Sequence, residues 1–212
     1  PESVLRPGYR RLILGMRDGL AIFAVYLTTR AALDGYGRKN VYAYRTDDLD
    51  DLYDRLDGPQ RFAFVTVPTA REGRTAAGLN SVIALGGTTW RTFERWANTR
   101  TRERGAEYEA FKQSLGEALV DLACAEVPEL KGRIESMEVS TPLTTRDYAA
   151  SENGAAYGIH HSIDQMGRWG VRPATRVHGL LLTGQSTLMP GILGVTISAF
   201  HTCAMILGSE YL

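Results

Sequence analysis

The sequence predicts an α+β fold, in which a mostly antiparallel sheet with helices is followed by a strand–turn–helix unit. Residues 20–85 contain four short runs of strand-favouring residues with one helical pattern among them. Residues 179–207 join a short apolar run to a long apolar pattern through a turn that contains glycine and proline. The chain has 212 residues, of which 44% are hydrophobic and 23% charged. That composition is typical of globular proteins with a buried core.

Four strands are predicted because each run is rich in β-branched and aromatic residues and ends at polar, proline or glycine residues. They lie at residues 20–27, 41–44, 62–67 and 80–85, with Gly86 and Gly87 closing the last one. A helix is predicted after Asp47 and Asp48, since acids favour a helix N-terminus and an apolar helical pattern follows. With one helix among four strands, we expect a mostly antiparallel sheet.

Two further helices are predicted after the fourth strand. Trp90, Phe93 and Trp96 recur at helical spacing, and a longer pattern runs over residues 108–122 and stops before Pro128. Beyond it, residues 139–145 read as a strand that leads into a loop. Residues 151–158 contain too many small residues for a regular element and predict an ordered loop.

The C-terminal unit carries the pattern that indicates a binding site. The strand at 179–183 and the helix at 192–207 are apolar on all sides, so we expect both to be buried in an α/β layer. Pro190 presets the helix start, while Gly191 and Gly194 remove side chains near the turn. Free N–H groups at a helix N-terminus favour an anionic or electron-rich ligand. The same glycines also suit tight helix–strand packing, so the residues alone leave both interpretations open.

A family resemblance favours the interpretation that the turn binds a ligand. Residues 179–186 (GLLLTGQS) and 190–194 (PGILG) resemble the C-terminal flavin motif of the phytoene desaturase, carotenoid isomerase and retinol saturase family. Residues 23–27, 140–144 and 154–158 resemble other motifs of that family, in the same order along the chain. The resemblance implies an FAD-dependent oxidoreductase, a desaturase, isomerase or saturase, that acts on a hydrophobic polyene or lipid-like substrate.

The resemblance also implies a division of the chain and a set of site residues. Residues 1–145 would form a substrate-binding domain, and residues 146–212 the C-terminal part of an FAD-binding Rossmann-like domain. The implied cofactor-binding residues are Thr183, Gly184, Gln185, Pro190, Gly191, Ile192 and Gly194, with Tyr157 beside the flavin. The catalytic residues are unknown, because the flavin itself carries most of the chemistry in such enzymes and no general base is nominated.

The chain departs from the family by lacking the GxGxxG fingerprint that holds the cofactor's pyrophosphate. We therefore expect an N-terminal Rossmann half, on another chain or on a removed segment, to complete the enzyme as a heteromer or longer protein. Alone, the chain should bind FAD weakly or not at all. The alternative is a non-enzymatic module that binds a hydrophobic ligand or a partner and has lost the flavin site.

Charge and residue counts disfavour several other functional classes, such as nucleic-acid-binding and metal-binding proteins. Lysine plus arginine and aspartate plus glutamate number 24 each, so no net field favours nucleic acid. The four histidines lack metal-site spacing, and no metal is expected. Cys124 and Cys203 lack a CxxC partner, so we expect buried thiols and a cytoplasmic protein. Arginines near Trp90 and Trp96 leave peripheral membrane contact as an alternative to a solvated helix face.

Overall fold

The computed structural model describes residues 5–211, with Tyr53, Asp54 and Tyr211 described by their backbone only. The strands are β1 (Ala21–Thr29), β2 (Val41–Tyr44), β3 (Phe62–Thr66), β4 (Asn80–Thr88) and β5 (Ile134–Ser140). The helices are α1 (Pro7–Leu14), α2 (Leu49–Asp54), α3 (Pro68–Glu72), α4 (Ala106–Glu126), α5 (Pro142–Ala149) and α6 (Gly191–Leu207). Short 3-10 turns occur between several of these elements.

The described residues group into two compact units. The sheet unit is Ala21–Gly154 and contains β1 to β5 and α2 to α5. The terminal unit joins Ala155–Leu212 to Pro1–Leu20 and contains α1 and α6. The sequence did not indicate that the first residues of the chain belong with its last part. The functional division at residue 145, substrate-binding against flavin-binding, stays a prediction.

The sheet unit is built on five strands in the order β2-β3-β4-β1-β5, and each neighbouring pair is antiparallel. The central strands β1 and β4 pair along their whole length, from Ala21 opposite Thr88 to Thr29 opposite Asn80. This confirms the predicted α+β class and its antiparallel sheet. The strand predicted from residue 139 begins earlier, at Ile134, because Ile134 already pairs opposite Thr29.

Helix α4 covers the sheet and supplies the other half of its core. Leu119, Leu122 and Ala123 are buried in one cluster with alternate residues of β1, β3 and β4. The helix packs closely on β5 at Gly116, where an added Cβ would lie 2.6 Å from a Val139 methyl group. The predicted long helix and its end before Pro128 are confirmed.

Gly86 and Gly87 lie inside β4 and do not close it, which corrects the sequence-based boundary. An added Cβ at Gly86 would approach the Phe23 ring to 2.6 Å. Gly86 therefore leaves room for the Phe23 ring, which is fully buried on β1. Gly87 leaves room for Leu56 and Phe62, which would lie 2.8 and 2.9 Å from an added Cβ. The two glycines interrupt the strand-favouring pattern of the sequence because these positions need space for packing. The backbone pairing of β4 with β1 continues through them.

The aromatic residues after β4 form two 3-10 turns, Trp90–Thr92 and Glu94–Trp96, where a helix was predicted. Phe93 and Trp96 are buried in a second cluster with Tyr108 and Leu143. The spacing of these aromatic residues therefore reflects their burial against neighbouring elements and does not indicate a helix. Trp96 is therefore unavailable for the membrane contact considered above. Among residues 5–211, no helix has the length and apolar character needed to cross a bilayer.

Both expectations of burial in the C-terminal segment are wrong. Residues 179–183 form no regular strand, and their only described bridge joins Leu181 to Ala174. Helix α6 buries Gly194, Ser198 and Thr202, while its large apolar side chains are exposed. Cys203 on this helix is also exposed, whereas Cys124 is buried as expected. All five strands of the described residues belong to the sheet unit, and the terminal unit contributes no strand with which residues 179–183 could pair.

Candidate functional site

The turn before α6 is fixed to the buried face of that helix by hydroxyl groups. Gly194, Ser198 and Thr202 recur every four residues and so lie on one face of α6. The Ser198 hydroxyl accepts a hydrogen bond from the Gly184 N–H at 2.9 Å and lies 3.3 Å from the Thr183 hydroxyl. The turn that contains the predicted cofactor-binding residues is therefore anchored at its first glycine.

A third hydroxyl completes this network. The Thr187 hydroxyl donates to the Gly184 carbonyl oxygen at 2.8 Å and lies 2.8 Å from the Ser198 hydroxyl. A hydroxyl has one proton. Since Thr187 uses its proton on Gly184, Ser198 donates to Thr187 while accepting from Gly184. Both backbone groups of Gly184 are thereby satisfied, and the turn is held in one conformation.

The start of α6 is open on one side. No side chain caps the helix, and an added Cβ at Gly184 or Gly191 would meet no atom within 4 Å. Both glycines have positive φ, of 111° and 78°, a region that other residues rarely adopt. Gly194 has a different role, because an added Cβ there would collide with the backbone carbonyl of Met189. Gly184 and Gly191 leave space, while Gly194 permits close packing of the turn.

The loop that follows residue 154 lies against the same turn. An added Cβ at Gly158 would collide with the Ser186 hydroxyl, and the Ile159 N–H points to that hydroxyl at 3.4 Å. The His161 Nε2 lies 3.1 Å from the Gln185 carbonyl oxygen. The structure thus brings two of the sequence motifs together. Tyr157, the residue implied to lie beside the flavin, is on this loop and 43% exposed.

A buried glutamine holds the loop to the N-terminal segment of the terminal unit. The Gln165 side chain accepts from the Arg17 N–H at 2.7 Å and donates to the carbonyl oxygens of Arg17 and His160. The Arg17 guanidinium pairs with Asp164 at 2.8 Å. A hydrogen bond from the Ser162 hydroxyl, and then Arg17, lower the pKa of Asp164. Sequence reasoning missed Gln165, because its partner Arg17 lies 148 residues away.

A second set of charges supports the sheet unit. Arg104 is buried, pairs with Asp147 and donates to the Thr99 carbonyl oxygen and hydroxyl. Arg95 instead stacks on the ring of Trp96, 3.9 Å from its centre. Both arginines lie in the stretch considered for membrane contact, and both have partners inside the unit. Peripheral membrane contact stays a prediction, and Arg104 and Trp96 are too buried to take part in it.

Comparison with known proteins gives relatives that are named as reductases, and no family model matches the chain. The chain is 27% identical over 217 aligned residues to an all-trans-retinol 13,14-reductase of Macaca fascicularis, and equally to that of Homo sapiens. Each alignment covers 95% of this chain and 36% of the relative. An inactive all-trans-retinol 13,14-reductase of Danio rerio is 23% identical, over 94% of this chain and 35% of the relative.

These relatives bear on the family resemblance, and they are longer than this chain. Their names describe oxidoreductases, which agrees with the class that the sequence motifs imply. The chain spans about a third of the length of the curated relatives it matches. What these longer proteins do as a whole is therefore a proposal for this chain.

Proposed function

We propose that the chain is a portion or subunit of an FAD-dependent desaturase, isomerase or saturase that acts on a hydrophobic polyene or lipid-like substrate. The open, uncapped start of α6 carries this proposal, because Gly184 and Gly191 leave free space beside backbone N–H groups. The similarity to proteins named as retinol reductases supports the redox class and the polyene substrate. In the proposed enzyme, residues 1–145 bind the substrate and residues 146–212 complete the flavin domain.

The residues at the helix start fit an electron-rich ring system. The N–H groups of the first turn carry partial positive charge and would face the pyrimidine side of a flavin. Thr183, Gly184, Gln185, Pro190, Gly191 and Ile192 would hold it, with Tyr157 at one side. Gly194 would act indirectly, by letting Met189 close on the helix. Bound FAD supplies the hydride chemistry, and this chain orients the cofactor and keeps water away.

An N-terminal Rossmann half, on another chain or segment, would account for the exposed side of α6. Ile192 is 88% exposed and Ile206 66% exposed, and contiguous apolar surface of this kind marks an interaction site. The curated relatives are nearly three times as long as the part that aligns with this chain. We propose that the Rossmann half covers the exposed side of α6.

The flavin site can be tested with two matched glycine substitutions. Gly191 and Gly179 have similar positive φ, 78° and 74°, and open space at the Cβ position. Asparagine tolerates this backbone region better than most residues, so Gly191→Asn adds a side chain at the helix start with little strain. Gly179→Asn adds the same side chain away from the turn. The measurement is flavin content per protein, by visible absorbance, in the protein purified with any chain that accompanies it.

We expect Gly191→Asn to lower flavin content and Gly179→Asn to leave it unchanged. Loss of flavin from both variants would indicate a folding effect, which the melting temperature of each variant checks. A wild-type protein that stays colourless with its Rossmann half present and FAD added would overturn the proposal. Peptide mass spectrometry of the purified protein that detects no chain or segment with the GxGxxG sequence would separately contradict the proposed Rossmann half.

The alternative is a non-enzymatic module that binds a hydrophobic ligand. It is favoured by one specific finding, that a relative of similar identity is named as an inactive reductase. Under this alternative the protein purifies with bound lipid and no flavin. Mass spectrometry of the organic extract distinguishes the two, because a flavin and a lipid differ in mass and absorbance.

A further inference from the structure

A cavity lined by three arginines lies in the terminal unit, apart from the candidate flavin site. Its volume is about 430 Å³, within the range of small-molecule sites. Arg168, Arg172 and Arg176 line it together with Tyr9 and Leu12 of α1. None of the residues assigned to the flavin contributes to it. The cavity therefore needs an explanation of its own.

The arginines of this cavity have few internal partners. Arg172 and Arg176 form no ion pair within the part of the chain that the structure describes. The guanidinium of Arg168 lies over the ring of Trp169, 4.6 Å from its centre, and forms no ion pair among the described residues. Three like charges around one cavity repel one another, and an anion would relieve that repulsion.

The balanced charge of the whole chain hides a local excess. By sequence, the terminal unit has seven arginines, no lysine and four carboxylates, so it is positive while the sheet unit is negative. One of the four carboxylates, Asp164, is already paired with Arg17. Charge asymmetry between parts of a chain indicates an anionic partner for the positive part. The cavity is where three of the seven arginines meet.

We propose that this cavity binds a phosphate-bearing ligand. A phosphate presents several acceptor oxygens to several guanidinium groups at once, whereas a carboxylate satisfies one such group. Arg168, Arg172 and Arg176 contact the phosphate, and Tyr9 and Leu12 contact the organic part next to it. The ligand is either a soluble phosphate ester or the headgroup of an anionic phospholipid, since both present the same group.

The loop that carries the arginines is held by contacts that do not involve them. The Thr175 hydroxyl donates to the carbonyl oxygens of Val177 and Leu180 and accepts from the Val177 N–H. Arg172 and Arg176 are themselves exposed. Replacing both by glutamine should therefore remove charge without unfolding the loop. Arg11 is a matched control, because it is exposed on α1 of the same unit and lies outside the cavity lining.

The first experiment is calorimetric titration of the protein, as isolated with any accompanying chain, with inorganic pyrophosphate. We expect binding that weakens with salt and weakens by roughly tenfold or more in the Arg172→Gln/Arg176→Gln variant, from lost charge-assisted hydrogen bonds. Arg11→Gln should bind as the wild type does. Circular dichroism and the melting temperature verify that each variant is folded, and Arg176→Gln alone serves if the double variant is not.

The second experiment distinguishes the source of the phosphate. The protein is sedimented with vesicles of phosphatidylglycerol and phosphatidylcholine, and with vesicles of phosphatidylcholine alone. Binding to the anionic vesicles that the double variant loses and pyrophosphate inhibits assigns the site to a lipid headgroup. Pyrophosphate binding without vesicle binding assigns it to a soluble phosphate ester. The proposal is overturned if neither probe binds, if the double variant binds as the wild type does, or if Arg11→Gln loses as much.

Discussion

The Ser198 hydroxyl accepts a hydrogen bond from the backbone N–H of Gly184 at 2.9 Å, across fourteen residues of sequence. Ser198 is fully buried on α6, and the Thr183 and Thr187 hydroxyls surround the same atom. A buried hydroxyl with several partners fixes its surroundings more strongly than one hydrogen bond does. This serine therefore determines where the turn of the candidate flavin site lies relative to the helix.

Replacing Ser198 by alanine should destabilise the protein and disturb the turn. The change leaves the Gly184 N–H without its acceptor in a part-buried position, which costs about 1–3 kcal/mol of unfolding free energy. Denaturant unfolding measures the loss. If the proposed function is correct, flavin content falls as well.

Thr196→Ala is the control for Ser198→Ala. Thr196 is exposed on the same helix, and its hydroxyl donates to the Ile192 carbonyl oxygen of its own helix. Its removal should change the unfolding free energy by less than about 0.5 kcal/mol. Equal effects of the two substitutions would mean that Ser198 acts only through α6 and has no particular effect on the turn.

A substitution at Gly158 should be partly reversed by a second one at Ser186. An added Cβ at Gly158 collides with the Ser186 hydroxyl, and its φ of 74° adds backbone strain. Gly158→Ala should therefore lower the unfolding free energy by about 2–4 kcal/mol, from overpacking and strain together. In the same protein, Ser186→Ala removes the colliding oxygen. It should restore the part of the unfolding free energy that was lost through the clash.

A substitution at Gly167 measures the effect of backbone strain without a clash. Gly167 has a φ of 59° and open space at the Cβ position, so Gly167→Ala adds backbone strain without a clash. Its effect should resemble that of the Gly158→Ala/Ser186→Ala double variant, near 1 kcal/mol. A double variant as unstable as Gly158→Ala alone would show that this loop does not pack on the turn as described.

The sheet could be predicted from the sequence because its signals are local. The run at 62–67 shows strand-favouring residues and a proline stop within the same few residues, and the strand β3 follows that run closely. Asp48 likewise signals the start of α2, where its side chain accepts from the N–H groups of Asp50 and Asp51. Such signals need no knowledge of distant parts of the chain.

The remaining features depend on partners that the sequence does not place. Gln165 looks like any loop glutamine until Arg17 lies beside it. The apolar composition of α6 predicted burial, but only the face of Gly194, Ser198 and Thr202 is covered, since hydropathy does not tell which partner covers a helix. The arginine cavity was hidden for a similar reason, because α1 and residues 168–176 are distant in sequence.

The stability of the sheet unit should fall at acid pH because Asp147 becomes protonated there. Burial alone would raise the pKa of Asp147, but hydrogen bonds from Thr101 and Arg146 and the charge of Arg104 outweigh it and lower the pKa. A lowered folded pKa means that the stabilisation is complete above the unfolded value of about 3.9. It is lost as pH falls through the folded pKa.

Asp147→Asn tests this dependence. At pH 7 the variant should lose about 3 kcal/mol, because buried Arg104 is left without its carboxylate. The difference from wild type should shrink at a pH below about 3.9. Asp34→Asn is the control, since Asp34 is exposed and forms no ion pair among the described residues. Thermal melts at pH 7 and pH 3 give both comparisons, and a difference that does not change with pH would contradict the lowered pKa of Asp147.

The exposed side of α6 should matter for association and not for the stability of the chain itself. Ile192→Ser/Ile206→Ser removes two large exposed side chains, and serine and isoleucine have similar helix propensity. The unfolding free energy of the isolated chain should change by less than about 1 kcal/mol, while light scattering shows less self-association. Binding to the proposed Rossmann half should weaken, whereas Ile163→Ser, at an exposed site outside α6, leaves it unchanged. A large loss of stability in the isolated chain would instead mean that the chain covers this face itself, which would remove the structural argument for a missing half.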